Sequence, residues 1–146
     1  MLYDARDWGV GELLVDGSSL LWHELPQPGK RPGGSHPLAA RLVAYFSGEK
    51  QAFDDVDLDL SWCTSFQADV AGTLRRLPYG ETVTYGELAA LSGHPGAHRA
   101  VGTFCARNRF PIVIPCHRVL AADGLGSYGS LGTRYKERLL RLEGAR

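Results

Sequence analysis

"YGETVTYGELAALSGHPGAHRAVGTFCARNRF", residues 79–110, decides the fold. Thr84 stands three residues before Glu87, the spacing of a capping box, so a helix starts there. It runs to about Leu91, where "SGHPG" (92–96) breaks it. A second helix starts at Pro95 or Ala97 and continues through about Arg107. Two short helices joined by a glycine-containing turn read as a helix-turn-helix. The second helix carries Arg99 and is the expected recognition element.

Toward the C-terminus, "FPIVIPCHRVL" (110–120) is apolar and β-prone, but Pro111 and Pro115 bar it from a central strand. It reads as a buried, rigid segment that sets Cys116 in place. "AADGLGSYGSLG" (121–132) is a Gly/Ser loop around Tyr128. "TRYKERLLRLEG" (133–144) is a final helix with Tyr135, Leu139, Leu140 and Leu142 facing inward and Gly144 near its end.

Toward the N-terminus, "TSFQADVAGTLRRLP" (64–78) is a helix capped by Thr64 or Ser65, with Phe66, Val70, Leu74 and Leu77 at packing positions. "WGVGELLVDGSSLLWHELPQ" (8–27) is a β-hairpin, two apolar runs about an Asp-Gly turn. "QPGKRPGGSHP" (27–37) is a mobile loop. "PLAARLVAYFSG" (37–48) is a helix with Leu38, Leu42, Tyr45 and Phe46 on one side and Gly48 as its stop. "DDVDLDLSW" (54–62) is a short strand or extended connector. The fold class is therefore α+β. A small hairpin-and-helix domain, residues 1–62, packs on a mostly helical, winged-helix-like domain, residues 63–146.

The 146 residues suit one compact unit or two small domains sharing a core. No apolar run reaches the roughly 18 residues of a membrane span, and "MLYDARDWGV" lacks the pattern of a secretory signal. An odd count of three cysteines without CxxC spacing fits a reducing compartment, so an intracellular location is expected. No metal site is expected. Net charge is zero, yet residues 1–65 carry five basic and ten acidic groups, and residues 66–146 carry eleven and six. Arg99, Arg107, Arg109 and Arg118 fall in a stretch without a carboxylate. That asymmetry points the C-terminal half at a polyanion.

Cys116 is followed by His117 and Arg118, a base and a positive charge of the kind that activates a thiol. Adjacent side chains do not automatically face each other, so a bridging water is one way to connect them. Glu143 is the candidate carboxylate behind the histidine. The alternative is a small buried hydrophobe, the usual fate of a free cysteine. His23, His36 and His94 read as surface or loop residues, and Cys63 and Cys105 as packing residues.

From Phe66 to Gly144 the sequence resembles the C-terminal domain of the O6-alkylguanine-DNA alkyltransferases, or methylated-DNA–protein-cysteine methyltransferases. "GETVTYGELA", "HRAVG", "RNRFPIVIPCHRV" and "KERLLRLEG" carry the resemblance, in order and at familiar spacing. "PCHRV" is the most specific. The resemblance implies that Cys116 accepts an alkyl group from guanine O6, or from O4-alkylthymine, once per molecule. His117 takes the thiol proton through a water, Glu143 orients the imidazole, and Asn108 braces the segment. Tyr85 donates to guanine N3. Arg99 is the finger that fills the duplex after base flipping. Thr84, Ala97, His98 and Arg107 join it in contacting DNA. Pro111 and Tyr128 wall the pocket, and the backbone near Val119 and Ser130 reads the guanine edge. The implied partner is duplex DNA carrying the lesion. A monomer without cofactor, metal or membrane is expected, in the cytoplasm on the nucleoid or in a nucleus.

His98 departs from the small residue usual before the finger arginine. "GSLGT" (129–133) does not align cleanly, and the N-terminal half matches only as a short hairpin and helix without metal ligands. Three further readings compete. A lesion sensor would lack the cysteine that "PCHR" retains. A helix-turn-helix regulator would need a dimerisation element. A cysteine hydrolase would have its histidine far off in sequence.

Overall fold

The computed structural model describes residues 1–29 and 36–146. The loop of residues 27–37 is seen only at its two ends, and the mobility expected of its middle falls outside the described residues. The first half holds a sheet in the order β1 (Leu2–Asp4), β2 (Val10–Asp16), β3 (Ser19–Gln27), β4 (Asp57–Leu58). The expected hairpin is β2–β3. Asp16 pairs with Ser19, which leaves Gly17-Ser18 as a two-residue turn. Gly17 has φ +59°, the left-handed backbone such a turn demands. Two strands extend the hairpin: β1, which was not expected, and β4, which falls in the 54–62 segment read as a short strand or connector. β1 pairs antiparallel with β2, and β4 runs parallel to β3. β1 is too short for periodicity to show.

Helix α1 (Pro37–Phe46) buries Leu38, Leu42, Tyr45 and Phe46, the four positions its spacing picks out. His36 is its N-cap, with a ring nitrogen accepting from the Leu38 amide at 3.1 Å, so it has a structural task that the sequence reading did not give it.

In the second half, α2 (Ser65–Arg75) and α3 (Tyr85–Leu91) each begin with a capping box, Thr64/Gln67 and Thr84/Glu87. Each box satisfies two orphan amides and so fixes where the helix starts. Helix α4 (His98–Ala106) starts a residue past Ala97 and packs on α3, completing the helix-turn-helix. A two-residue strand β5 (Val83–Thr84) pairs parallel with β6 (Val119–Leu120), tying the chain before α3 to the chain after Cys116. Helix α5 (Gly132–Leu142) closes the unit, burying Leu139 and Leu140. One apolar core runs through both halves. It joins Leu13, Leu20 and Tyr45 to Val70, Leu74, Phe110, Ile114 and Leu139.

Candidate active site

Cys116 opens a 3-10 turn, Cys116–Arg118, and is 4% exposed. Its approach is set by Pro115, whose φ −81° and ψ 65° make an inverse γ-turn. The turn is closed by the Cys116 amide donating to the Ile114 carbonyl at 2.8 Å. Asn108 fixes the same segment. Its Nδ2 donates to the Ile114 carbonyl at 2.8 Å and to Cys116 Sγ at 3.2 Å, while its Oδ1 accepts from the Phe110 amide at 2.8 Å.

Between these anchors Ile112 has φ +72°, a costly backbone for a β-branched residue. His23 of β3 holds that bend. Its amide donates to the Arg109 carbonyl at 2.9 Å, and its Nδ1 donates to the Pro111 carbonyl at 2.6 Å. Its Nε2 then accepts from the Tyr3 hydroxyl at 2.7 Å. Burial pushes the His23 pKa down to about 4, so the ring is neutral, as that bonding requires. His23 is thus 2% exposed and central, not the surface residue expected from sequence.

His117 and Glu143 are buried together. His117 Nε2 lies 2.5 Å from Glu143 Oε2, which also accepts from the Tyr45 hydroxyl at 2.5 Å and from Arg118 Nη2 at 3.1 Å. Glu143 Oε1 accepts from Arg118 Nε at 2.8 Å and from the Gly80 amide at 3.1 Å. Burial alone would raise the Glu143 carboxyl. The hydrogen bonds from His117 and Arg118 and the Arg118 charge outweigh it and hold the group well below the usual carboxylate range. Burial pushes His117 down, against the pull of Glu143. A neutral His117 facing a carboxylate must donate through Nε2, which leaves Nδ1 as an acceptor. That Nδ1 is buried, with no protein partner among the described residues.

Cys116, Asn108, Pro111, Tyr128 and Ser130 line one cavity of about 160 Å³. Burial pushes the Cys116 thiol well above its ordinary range, and a neighbouring thiol adds to this. The Asn108 hydrogen bond and the Lys136 charge oppose it. Cys116 therefore rests as a thiol. A larger cleft of about 560 Å³ lies behind residues 112–115, between Arg75 and Arg118, but the Cys116 side chain does not line it.

Tyr85 reaches a smaller void that Cys116 and Tyr128 also border. Gly126 has φ +74°, and a Cβ there would stand 3.0 Å from the Tyr85 hydroxyl, so glycine is what lets the loop close on this tyrosine. Burial raises the Tyr85 pKa. Val119 does not border the cavity. Its amide donates to the Cys116 carbonyl, and its carbonyl accepts from Lys136 Nζ at 2.5 Å, so both groups expected to face a guanine edge are engaged inside the fold.

Arg99, His98 and Ala97 stand at the start of α4, the first two exposed, and Arg107 is exposed just past its end. Thr84 spends its hydroxyl on the α3 cap. The charged and aromatic residues about the thiol therefore fall into two groups. The buried relay lies behind Cys116, and the exposed residues lie on α4, away from the cavity lining.

A sequence model described as the DNA-binding domain of 6-O-methylguanine DNA methyltransferase matches residues 65–145. This chain belongs to the methylated-DNA–protein-cysteine methyltransferase family. It is 46% identical over 125 residues to the Mycobacterium tuberculosis protein of that name, covering 85% of this chain and 72% of that one. It is 50% identical over 106 residues to the Methanosarcina acetivorans protein, covering 72% of this chain and 66% of that protein's length. The crystal structure of Mycobacterium tuberculosis OGT in complex with DNA superposes with a TM-score of 0.83 at 40% identity, covering 97% of this chain and 90% of that one. The resemblance read from "PCHRV" thus holds for the family and for the fold.

The sequence reading missed four participants. Tyr45 looked like one more apolar position of α1, and Arg118 like a general positive charge. Lys136 was not singled out, although it is wholly buried and donates to the carbonyls of Val119 and Ser127. Cys105 is half-exposed and lines the cavity beside Cys116. The expectation that no HxxxH pair offers a zinc site overlooked His94 and His98, which stand at that spacing. His94 lies before α4 and pairs with Asp69 at 2.9 Å, and no group of three metal-binding side chains occurs among the described residues.

Proposed function

We propose that this protein reverses O6-alkylguanine damage directly, moving the alkyl group from the base to Cys116 Sγ. The observation that carries the reading is the order of buried groups behind the cavity: a thiol, an imidazole with an unpartnered Nδ1, and a five-donor carboxylate. Guanine O6 lies within the stack, so the base is extruded before a buried thiol reaches it. Arg99 fills the gap at the start of α4, and neighbouring basic groups hold the phosphates. The Cys116 proton passes through a water to His117 Nδ1, and Glu143 steadies the imidazolium that forms. Tyr85, kept protonated by its raised pKa, donates to guanine N3 so that the base leaves neutral. Sulfur attacks the alkyl carbon, the carbon–oxygen bond breaks, and the thioether has no easy reversal. Each molecule then acts once, on duplex DNA, as a monomer inside the cell. Among the described residues no helix is long and apolar enough to cross a membrane.

Incubation with a duplex carrying O6-methylguanine, followed by intact mass, tests this. One methyl group gained at Cys116, and none in Cys116→Ala, is the expected result. Tight lesion binding with no gain of mass would overturn it in favour of a sensor that marks damage for another pathway.

A further inference from the structure

We propose that Cys105 and Cys116 are a reversible dithiol–disulfide site, in which a small oxidised thiol enters at Cys105 and closes the acceptor onto it. Cys105 lies in the last turn of α4 and is half-exposed, while Cys116 is buried. Both line the cavity of about 160 Å³, and both border the void beneath Tyr85. Across this space the Cys105 thiol helps raise the Cys116 thiol above its ordinary range, after burial. The third cysteine, Cys63, lines neither space. Cys105 lies one residue before the end of α4 at Ala106, and the chain then turns through Arg107 and Asn108, whose amides close back on Thr103, Phe104 and Cys105.

The chemistry balances with glutathione disulfide as oxidant. Cys105 thiolate attacks one of its sulfurs, the small disulfide bond breaks, and one glutathione leaves, taking up the proton that Cys105 lost. Cys116 passes its proton to His117, and its thiolate attacks the Cys105 sulfur of the mixed disulfide. The Cys105–Cys116 bond forms and the second glutathione leaves, taking the proton. Two protein thiols are oxidised and one disulfide is reduced to two thiols. The relay that frees Cys116 also serves this exchange. A dithiol reductant reverses it, whereas an isolated acceptor thiol would go on to irreversible oxidation. The inference borrows the His117 base but does not depend on alkyl transfer.

The test treats the full-length reduced protein with glutathione disulfide and follows intact mass, thiol count and peptide mapping. The expected product has lost two hydrogens and two of its three thiols, with one crosslinked peptide pair joining 105 to 116. Iodoacetamide labelling of Cys116 falls by about tenfold or more and returns with dithiothreitol. In Cys105→Ser, Cys116 remains open to iodoacetamide after the same treatment. A stable glutathione adduct on Cys105 with Cys116 still reactive would overturn the proposal. So would a crosslink through Cys63, or equal protection of Cys116 in Cys105→Ser.

Discussion

Glu143 shows how one side chain serves two purposes. Its two oxygens accept from Tyr45, His117, Arg118 and Gly80, so it fixes the imidazole and neutralises the buried Arg118 guanidinium together. Replacing it by alanine leaves that charge uncompensated, and a loss of about 3–5 kcal/mol in denaturant titration is expected. On the proposed mechanism His117→Ala removes the base and one donor to Glu143, while Arg118 still pairs with that carboxylate. The substitution should lower single-turnover alkyl transfer by about 10²–10⁴-fold while lesion binding persists. The pH profile follows from two opposite shifts. The Cys116 thiol sits above its ordinary range, so the rate climbs as pH rises toward alkaline values. His117 sits below its ordinary value of 6.5, so the base stays neutral and the acid limb drops only below that value. A single-turnover profile that bends at or above pH 6.5 on its acid side would contradict the assignment of His117 as the buried base.

At the scale of elements, α4 presents its first turn to solvent and its last turn to the cavity. On the proposed function Arg99, exposed in that first turn, acts on DNA and not on the thiol. Arg99→Ala should slow repair of O6-methylguanine in duplex by about tenfold or more, because flipping costs a few kcal/mol that an inserted side chain offsets. The reaction with free O6-benzylguanine should stay nearly unchanged, and equal loss on both substrates would make Arg99 structural. The elements were largely legible because their signals are local. Both capping boxes, the Asp-Gly turn and the apolar face of α1 sit within a few residues of the feature they specify. β1 and the β5–β6 pair were not legible, since strands of two or three residues carry no period and depend on distant partners, whereas β4 falls in the 54–62 stretch read as a short strand or connector. In the site, the motif segment revealed Cys116, Asn108 and the His117–Glu143 pair. It did not reveal Tyr45 or His23, which reach the site from 72 and 88 residues away. Nor did it reveal the buried Lys136, which donates to the Val119 carbonyl from 17 residues on, with no local mark.

Across the whole molecule the two halves are distinct in topology and joined in energy. We propose residues 1–62 and 63–146 as units of architecture only, because the first supports the site of the second. Tyr45 bonds Glu143, and His23 braces the strained turn at Ile112. That junction gives stability a pH signature. Unfolded His23 titrates near 6.5 and folded His23 near 4, so below pH 6.5 the unfolded chain binds a proton that the folded chain refuses. The contribution of neutral His23 is intact above pH 6.5 and drains away as pH falls to about 4, by about 3 kcal/mol over the full interval. His23→Gln cannot titrate. It should be less stable than the parent at pH 7, having lost a bond that bridges the halves. The gap between parent and variant should then narrow as denaturant melts are repeated at falling pH. A gap that stays constant from pH 7 to 4.5 would show that His23 is not the neutral clamp between the halves.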